Sequence, residues 1–342
     1  MTLERPDLSQ LDPAVRAYVE WLEAEVERLR GREEPLMSPE PLEPDEPPTP
    51  FNVVTLSAAG LIKRTPRHLY GRQRRGGMGI FDLELSADDA PACLAVVDES
   101  ASLVLLTHQA RAFRLPMSQL PEAPVHSKGQ ALSERLGLEG SERVIWALPE
   151  KSKGYLALLS ETGYVRLLPA HVVGEKMTPG TALYKAGDFG ALVAACWTGG
   201  NDDLFIATRQ GIAIRFAERA LPLPGGLSLR LEKGDVPVAI TAANAERNGV
   251  FLLGADGRGT IRLMAGFAAN KSPGGGGKLA LKTDRLVSAA SVGPDADLFI
   301  ISRLGKLIRF RADEVPPKEG VVQGVNCMAL RGDETAAVAV TQ

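Results

Sequence analysis

The feature that most constrains the fold is a repeated pair of apolar runs joined at a glycine. Asp203–Phe216 (DLFIATRQGIAIRF) and Asp297–Phe310 (DLFIISRLGKLIRF) are two clear copies, each an apolar strand, a tight turn ending in Gly211 or Gly305, and a second strand. This is the signature of a β-hairpin. Fainter copies place the turn at Gly60, Ala110, Gly163 and Gly257, so successive turns lie 50, 53, 48, 46 and 48 residues apart. Another apolar strand follows each hairpin, as in Ala92–Val97, Arg143–Leu148, Ala191–Trp197, Val236–Thr241, Leu286–Val292 and Ala336–Val340. Six β units of nearly equal length predict an all-β, closed radial array of four-stranded blades over residues 51–342. The 35 Gly and 24 Pro fit a chain of many short strands and turns.

The first fifty residues have a different character. Val15, Val19, Leu22, Val26 and Leu29 are spaced 4, 3, 4 and 3 apart, which predicts an amphipathic helix over 13–30 with Asp12 and Pro13 as cap and first turn. Its apolar seam suits docking on the β body, docking on a partner protein, or weak self-association. Residues 31–50 carry seven Pro and six acids, the composition of an extended acidic linker. Of 42 acids and 39 Lys or Arg in the whole chain, residues 1–50 hold 13 and 5, leaving 29 acids against 34 bases in 51–342. The net charge of −3 therefore hides a mildly basic body. Because the linker is opposite in charge to the segment after it, it is expected to fold back and compete with a polyanion.

That segment, Phe51–Phe81, contains Lys63, Arg64, Arg67, Arg72, Arg74 and Arg75 and no acid. Within it, Gln73-Arg74-Arg75-Gly76-Gly77-Met78-Gly79 joins planar guanidinium donors to a backbone free to lie against a ligand. This run resembles the seven-residue box (Gln-Arg-Arg-Gly-Gly-Lys/Arg-Gly) of the C-terminal DNA-wrapping domain of bacterial DNA gyrase A and its topoisomerase IV counterpart. Six of its seven positions match, and Met78 stands where the family usually has a base. The resemblance covers residues 51–342 and implies a β-pinwheel whose blades exchange strands, a detail that periodicity does not reveal. It also implies double-stranded DNA as ligand, with Gln73, Arg74, Arg75, Gly76, Gly77 and Gly79 in contact, and, as protein partner, a gyrase or topoisomerase IV subunit. Residues 1–50 depart from the family, in which full-length gyrase A has its breakage-reunion domain there. The expectation is a stand-alone DNA-binding accessory with no strand-cleaving activity of its own and no cofactor. Tyr18, in Arg16–Glu20, superficially resembles a topoisomerase nucleophile but lacks a preceding arginine, an acidic metal cluster and a domain to hold cleaved DNA.

Arg64, Arg114, Arg215 and Arg309 each stand four residues after a turn position, with Arg166 and Arg262 near the equivalent place in the other two units. If the units are related by rotation, these residues form a ring of positive charge on the rim, which would bind phosphates without reading bases. Six neutralised phosphates would give log K against log salt a slope of order −5, at ~0.9 per contact. Lys271, Lys278, Lys282 and Arg285 flank Gly274–Gly277 and either extend that path or decorate a flexible loop. An interaction scaffold without DNA affinity is the alternative from another class.

No enzyme site emerges, since His68, His108, His126 and His171 fall in different units without ligand or triad spacing. Cys93, Cys196 and Cys327 each sit in an apolar segment, as buried free thiols of a cytoplasmic, nucleoid-associated protein would. There is neither a signal peptide nor an apolar run near bilayer-spanning length.

Overall fold

The computed structural model describes residues 46–243, 249–293 and 295–341, together with Val15, Val19, Glu20 and Glu23. Those four are helical; the rest of the expected 13–30 helix, and the linker before residue 46, lie outside the described residues. The chain divides into Met1–Glu43 and Pro44–Gln342. No helix among the described residues is long and apolar enough to cross a membrane.

The second unit is a six-bladed wheel. In blade 1 the sheet runs Pro91–Asp98, Phe51–Ser57, Leu61–Pro66, Gln130–Ala131, and in blade 6 it runs Thr335–Val340, Asp297–Ser302, Lys306–Arg311, Ile80–Phe81. The first strand of each blade adjoins its counterparts around the axis. The outer strand always comes from the next unit along the chain. Gln130–Ala131 follows the hairpin of blade 2, and Thr181–Ala182, Gly225–Leu227 and Lys278–Leu279 complete blades 2, 3 and 4 in the same way. Blade 5 takes Pro317–Lys318 and Val325–Asn326, and Ile80–Phe81, donated by the first unit, closes blade 6. This exchange of strands is the β-pinwheel arrangement.

Each turn position has positive φ, from 59° at Ala110 to 85° at Gly60. Five of the six are glycine because only glycine reaches this region without strain. The turn carbonyl then accepts hydrogen bonds from the visiting chain, for example Asp82 N–H to Gly305 O at 2.8 Å and Cys327 N–H to Gly257 O at 2.8 Å.

There is no single core. Six apolar clusters lie one between each pair of neighbouring blades. Since successive strand residues point to opposite faces, one strand feeds two seams. Val54 packs toward blade 2 while Val53 packs toward blade 6, and Phe205 toward blade 5 while Leu204 packs toward blade 3. This explains hairpins that are apolar almost throughout rather than alternating. Burial pushes the thiols of Cys93, Cys196 and Cys327 up to about 12, so all three remain protonated.

Candidate nucleic-acid interface

The ring of outward arginines is not present, and pairing register gives the reason. Arg64 lies directly opposite Val54, Arg215 opposite Phe205 and Arg309 opposite Phe299. Cross-strand partners share a face, and those three apolar residues belong to the seams facing the next blade. The guanidinium groups therefore enter the seams. Arg64, Arg215 and Arg309 are 8%, 6% and 2% exposed.

Each does the same job there. Arg64 donates to the carbonyls of Met117 and Leu120, both at 3.1 Å, which bracket the 3-10 turn Met117–Gln119 of blade 2. Arg215 donates to Met264 O and Phe267 O at 2.6 and 3.0 Å, around Met264–Gly266 of blade 5. Arg309 donates to Arg67 O and Tyr70 O at 3.4 and 3.0 Å, around Arg67–Leu69 of blade 1. A single helical turn closes one backbone hydrogen bond, Leu120 N–H to Met117 O, Phe267 N–H to Met264 O and Tyr70 N–H to Arg67 O, and the fork of donors serves both that carbonyl and the one that follows the turn. The Nε of each is held by a residue on the opposing strand: Asn52 at 3.1 Å, Asp203 at 2.7 Å and Asp297 at 2.8 Å. Arg114 instead pairs with Glu150 at 2.8 Å and is partly exposed.

Arg166 and Arg262 do not complete a set. They lie opposite Leu158 and Val250, one place out of step, so they face the preceding blade, and the seam positions are Leu167 and Ile261. Lys63 is also internal, 2% exposed, with Nζ 2.5 Å from the carboxylate of Asp82. Thr55 donates to the other Asp82 oxygen at 2.8 Å and the Tyr70 hydroxyl donates to the first. Burial lowers the Lys63 pKa against the attraction of Asp82, while burial and then the Asp82 charge hold the Tyr70 phenol far above its ordinary value. Asp82 directly follows the strand that closes blade 6, so this buried cluster moors the closing segment to blade 1.

The Gln73–Gly79 run spans the same closure. It leaves the 3-10 turn of blade 1 and crosses the outer edge of blade 6. Gln73 N–H donates to Arg309 O at 2.8 Å, Gly76 N–H to Cys327 O at 2.8 Å, and Ala329 N–H to Gly77 O at 2.9 Å. The Gln73 side-chain oxygen accepts from Gly79 N–H at 3.2 Å and fills the space in which a Cβ on Gly77 would lie, 2.6 Å away. The carboxamide and two of the glycines thus shape the loop itself. Gly79 has a second reason: a Cβ there would meet Leu307 O at 2.7 Å. Glycine precedes the outer strand in five blades, at Gly79, Gly129, Gly180, Gly277 and Gly324, and begins it in blade 3, at Gly225. The sequence reading missed this second repeat, although its spacing from the hairpin turns was available as a signal.

The arginines of the run divide by partner. Arg72 pairs with Asp297 at 3.0 Å and is about half exposed. Arg75 gives its N–H to Glu314 at 3.0 Å and its guanidinium to Asn326 O at 3.2 Å. Arg74 is exposed and has no ion pair or side-chain hydrogen bond among the described residues. Arg67 pairs with Glu46 at 3.0 Å, and Glu46 also reaches Arg309 at 2.8 Å. Of the later bases, Lys278 donates to Ala268 O at 2.9 Å and Arg285 pairs with Glu334, while Lys271 and Lys282 are exposed. No group of three His, Cys, Asp or Glu that could hold a metal is assembled among the described residues.

Strand exchange around six blades, with a glycine-arginine clasp where the ring closes, defines the β-pinwheel class. Within it, the chain resembles the C-terminal domain of DNA gyrase A. The family model described as "DNA gyrase C-terminal domain, beta-propeller" matches residues 52–90, 101–149, 202–235 and 296–341. The unmatched stretches hold the hairpins of blades 3 and 5, the two whose seam position is apolar. The DNA gyrase A protein of Mycoplasma genitalium is 26% identical over 294 residues, 82% of this chain and 35% of the relative. That of Mycobacterium tuberculosis (strain ATCC 25618 / H37Rv) is 28% identical over 301 residues, 84% of this chain and 36% of the relative. The chain thus spans about a third of the length of these relatives. A solved DNA gyrase A C-terminal domain has a TM-score of 0.75 at 19% identity, covering 85% of this chain and all of that one. The C-terminal domain of DNA topoisomerase IV has a TM-score of 0.60 at 17% identity, covering 85% and 93%.

Proposed function

We propose that the protein binds duplex DNA by its phosphate backbone at the ring-closure clasp, without reading sequence, and bends it along the outer edge of the wheel. In this role it serves a gyrase or topoisomerase IV core in the cytoplasm, and strand cleavage is left to that core. The observation that carries the proposal is Arg74, an exposed guanidinium without a partner among the described residues, on a loop whose backbone is fixed at both ends, with Arg72 and Arg75 beside it. With the backbone already fixed, only the side chain is left to be ordered when a phosphate arrives. With Arg64, Arg215 and Arg309 engaged inside the seams, Arg72, Arg74 and Arg75 offer about three phosphate contacts at the clasp, which contribute roughly −2.7 to the slope of log K against log salt. Bending ~20–30 base pairs costs on the order of 1–6 kcal/mol, which contacts elsewhere on the edge must offset.

The test is salt-dependent retardation of linear duplex, comparing wild type with Arg74→Ala/Arg75→Ala, followed by topoisomer analysis of relaxed plasmid closed in the presence of each. Weaker binding and loss of a linking-number shift in the double variant are expected. A protein scaffold is the second reading, favoured by Met78, Ile80 and Phe81, which are 50%, 38% and 49% exposed next to the clasp. It requires that duplex not be retarded even at low salt.

A further inference from the structure

The loop that passes over the outer edge of blade 4 is built as the clasp on blade 6 is built. Asn270 N–H donates to Arg215 O at 2.6 Å where Gln73 N–H donates to Arg309 O at 2.8 Å. Gly274 N–H donates to Ser228 O at 2.9 Å where Gly76 N–H donates to Cys327 O at 2.8 Å. Arg230 N–H donates to Gly275 O at 2.9 Å where Ala329 N–H donates to Gly77 O at 2.9 Å. The conformations agree as well, with φ of 83° and 74° at Gly274 and Gly277 against 80° and 70° at Gly76 and Gly79. Counting back from the outer strands Lys278–Leu279 and Ile80–Phe81, the four glycines Gly274–Gly277 therefore occupy the places of Gly76–Gly79. Far from hanging free, this glycine run is tied to blade 4 and to the chain at Ser228–Arg230.

Its chemistry is that of a phosphate site with the cations moved. Ser272 and Pro273 precede the glycines where the clasp has Arg74 and Arg75, and the loop is one residue longer. The charge comes instead from Lys271 at its start and from Arg230, which stands where the other loop meets Ala329. Both are exposed, and neither side chain has a hydrogen bond or ion pair among the described residues. Gly276, at the place of Met78, has open space where a Cβ would lie.

We propose that Lys271, Arg230 and the Gly274–Gly277 backbone form a second phosphate-binding clasp, two blades from the first on the same outer edge, which holds the same duplex further along its path. This rests on the DNA-binding function proposed above. Two clasps on one edge fix two separated points of a duplex, so the intervening stretch follows the curve of the wheel.

The test is fluorescence anisotropy of a labelled duplex long enough to span both loops, titrated with salt, for wild type, Arg74→Ala/Arg75→Ala, Arg230→Ala/Lys271→Ala and Gly276→Lys. Removing two contacts lowers the salt slope by about 1.8, and adding one through Gly276→Lys raises it by about 0.9. The corresponding affinity change is on the order of tenfold per contact near 0.1 M salt. Unchanged thermal midpoints establish that these surface variants fold. If Arg230→Ala/Lys271→Ala and Gly276→Lys bind as wild type does while Arg74→Ala/Arg75→Ala weakens, the second clasp is refuted and the first stands. If wild type does not bind duplex at low salt, the DNA-binding function itself is refuted.

Discussion

Replacing Arg309 separates an arginine that faces DNA from one that holds the wheel together. In the structure its guanidinium lies 2.6 Å from the Asp297 carboxylate, 2.8 Å from Glu46 and 3.0 Å from the Tyr70 carbonyl, with 2% of the residue exposed. Arg309→Ala takes the closest cation from a buried carboxylate and the donor from the Tyr70 carbonyl, a loss of roughly 3–5 kcal/mol for a broken buried pair. Arg72 still reaches Asp297 at 3.0 Å, which keeps part of the neutralisation and sets the expectation at the lower end, ~3 kcal/mol. For a domain of this size that corresponds to a fall in midpoint of roughly 6–12 °C, at ~2–4 °C per kcal/mol. Thermal and urea unfolding measure it, and the salt slope of duplex binding is measured beside it at a temperature where the variant is folded. A rim arginine would behave in the opposite way, with an unchanged midpoint and a salt slope reduced by about 0.9. That result would refute the assignment of Arg309 to the seam between blades 6 and 1.

The other predictions concern charge at named positions. Met78→Lys places a base on the exposed sixth position of the clasp, so duplex binding should tighten and its salt slope steepen by about 0.9, with no change in stability. Glu218 is 3% exposed and accepts from the Thr198 hydroxyl; burial, partly opposed by that bond, raises its pKa above the ordinary 4.5. An acid raised in the folded state contributes stability below the unfolded value and loses it as pH rises through the folded value. Glu218→Gln should therefore raise the unfolding midpoint near pH ~7 and leave it unchanged near pH ~4. Glu46 has the reverse sign: burial raises its pKa, but hydrogen bonds and charge from Arg309 and Arg67 outweigh burial and hold it below 4.5. Its contribution is present above 4.5 and lost as pH falls through the lower folded value, so Glu46→Gln should destabilise near pH ~7 and match wild type at the acid end.

The blades were legible because a hairpin writes its period into the sequence twice, in the apolar runs and in a residue at positive φ. Ala110 shows how little of that signal is needed, since its unit was placed by spacing and adopts φ of 59° without glycine. Strand exchange was not legible. The outer strands are only two or three residues long, Gln130–Ala131 and Gly225–Leu227 among them, and the partner of so short a strand is set by tertiary packing rather than by its own composition. The clasp was found as a motif, yet the sequence did not separate its free cation from its fixed parts. Arg72 and Arg75 meet acids or carbonyls some 225 to 251 residues away, and no local pattern reports that.

The misplaced ring of arginines has a physical source that can be corrected from sequence. On a strand with one solvated face, an arginine between apolar residues points to water, and that assumption placed Arg64, Arg215 and Arg309 on the rim. In a wheel whose hairpins are buried on both faces no such face exists, so an arginine at this position must bring its acceptors with it. The acceptors were visible: Asn52, Asp203 and Asp297 each stand 12 residues before the arginine they hold. Blades 3 and 5 test the rule from the other side. The residues 12 places before Leu167 and Ile261 are Tyr155 and Gly249, which carry no acid, and the seam position is apolar in both. An acid or amide at that spacing thus marks an internal tie between blades, whereas Arg114, with Ser102 at that place, takes its carboxylate from Glu150 instead and stays partly exposed.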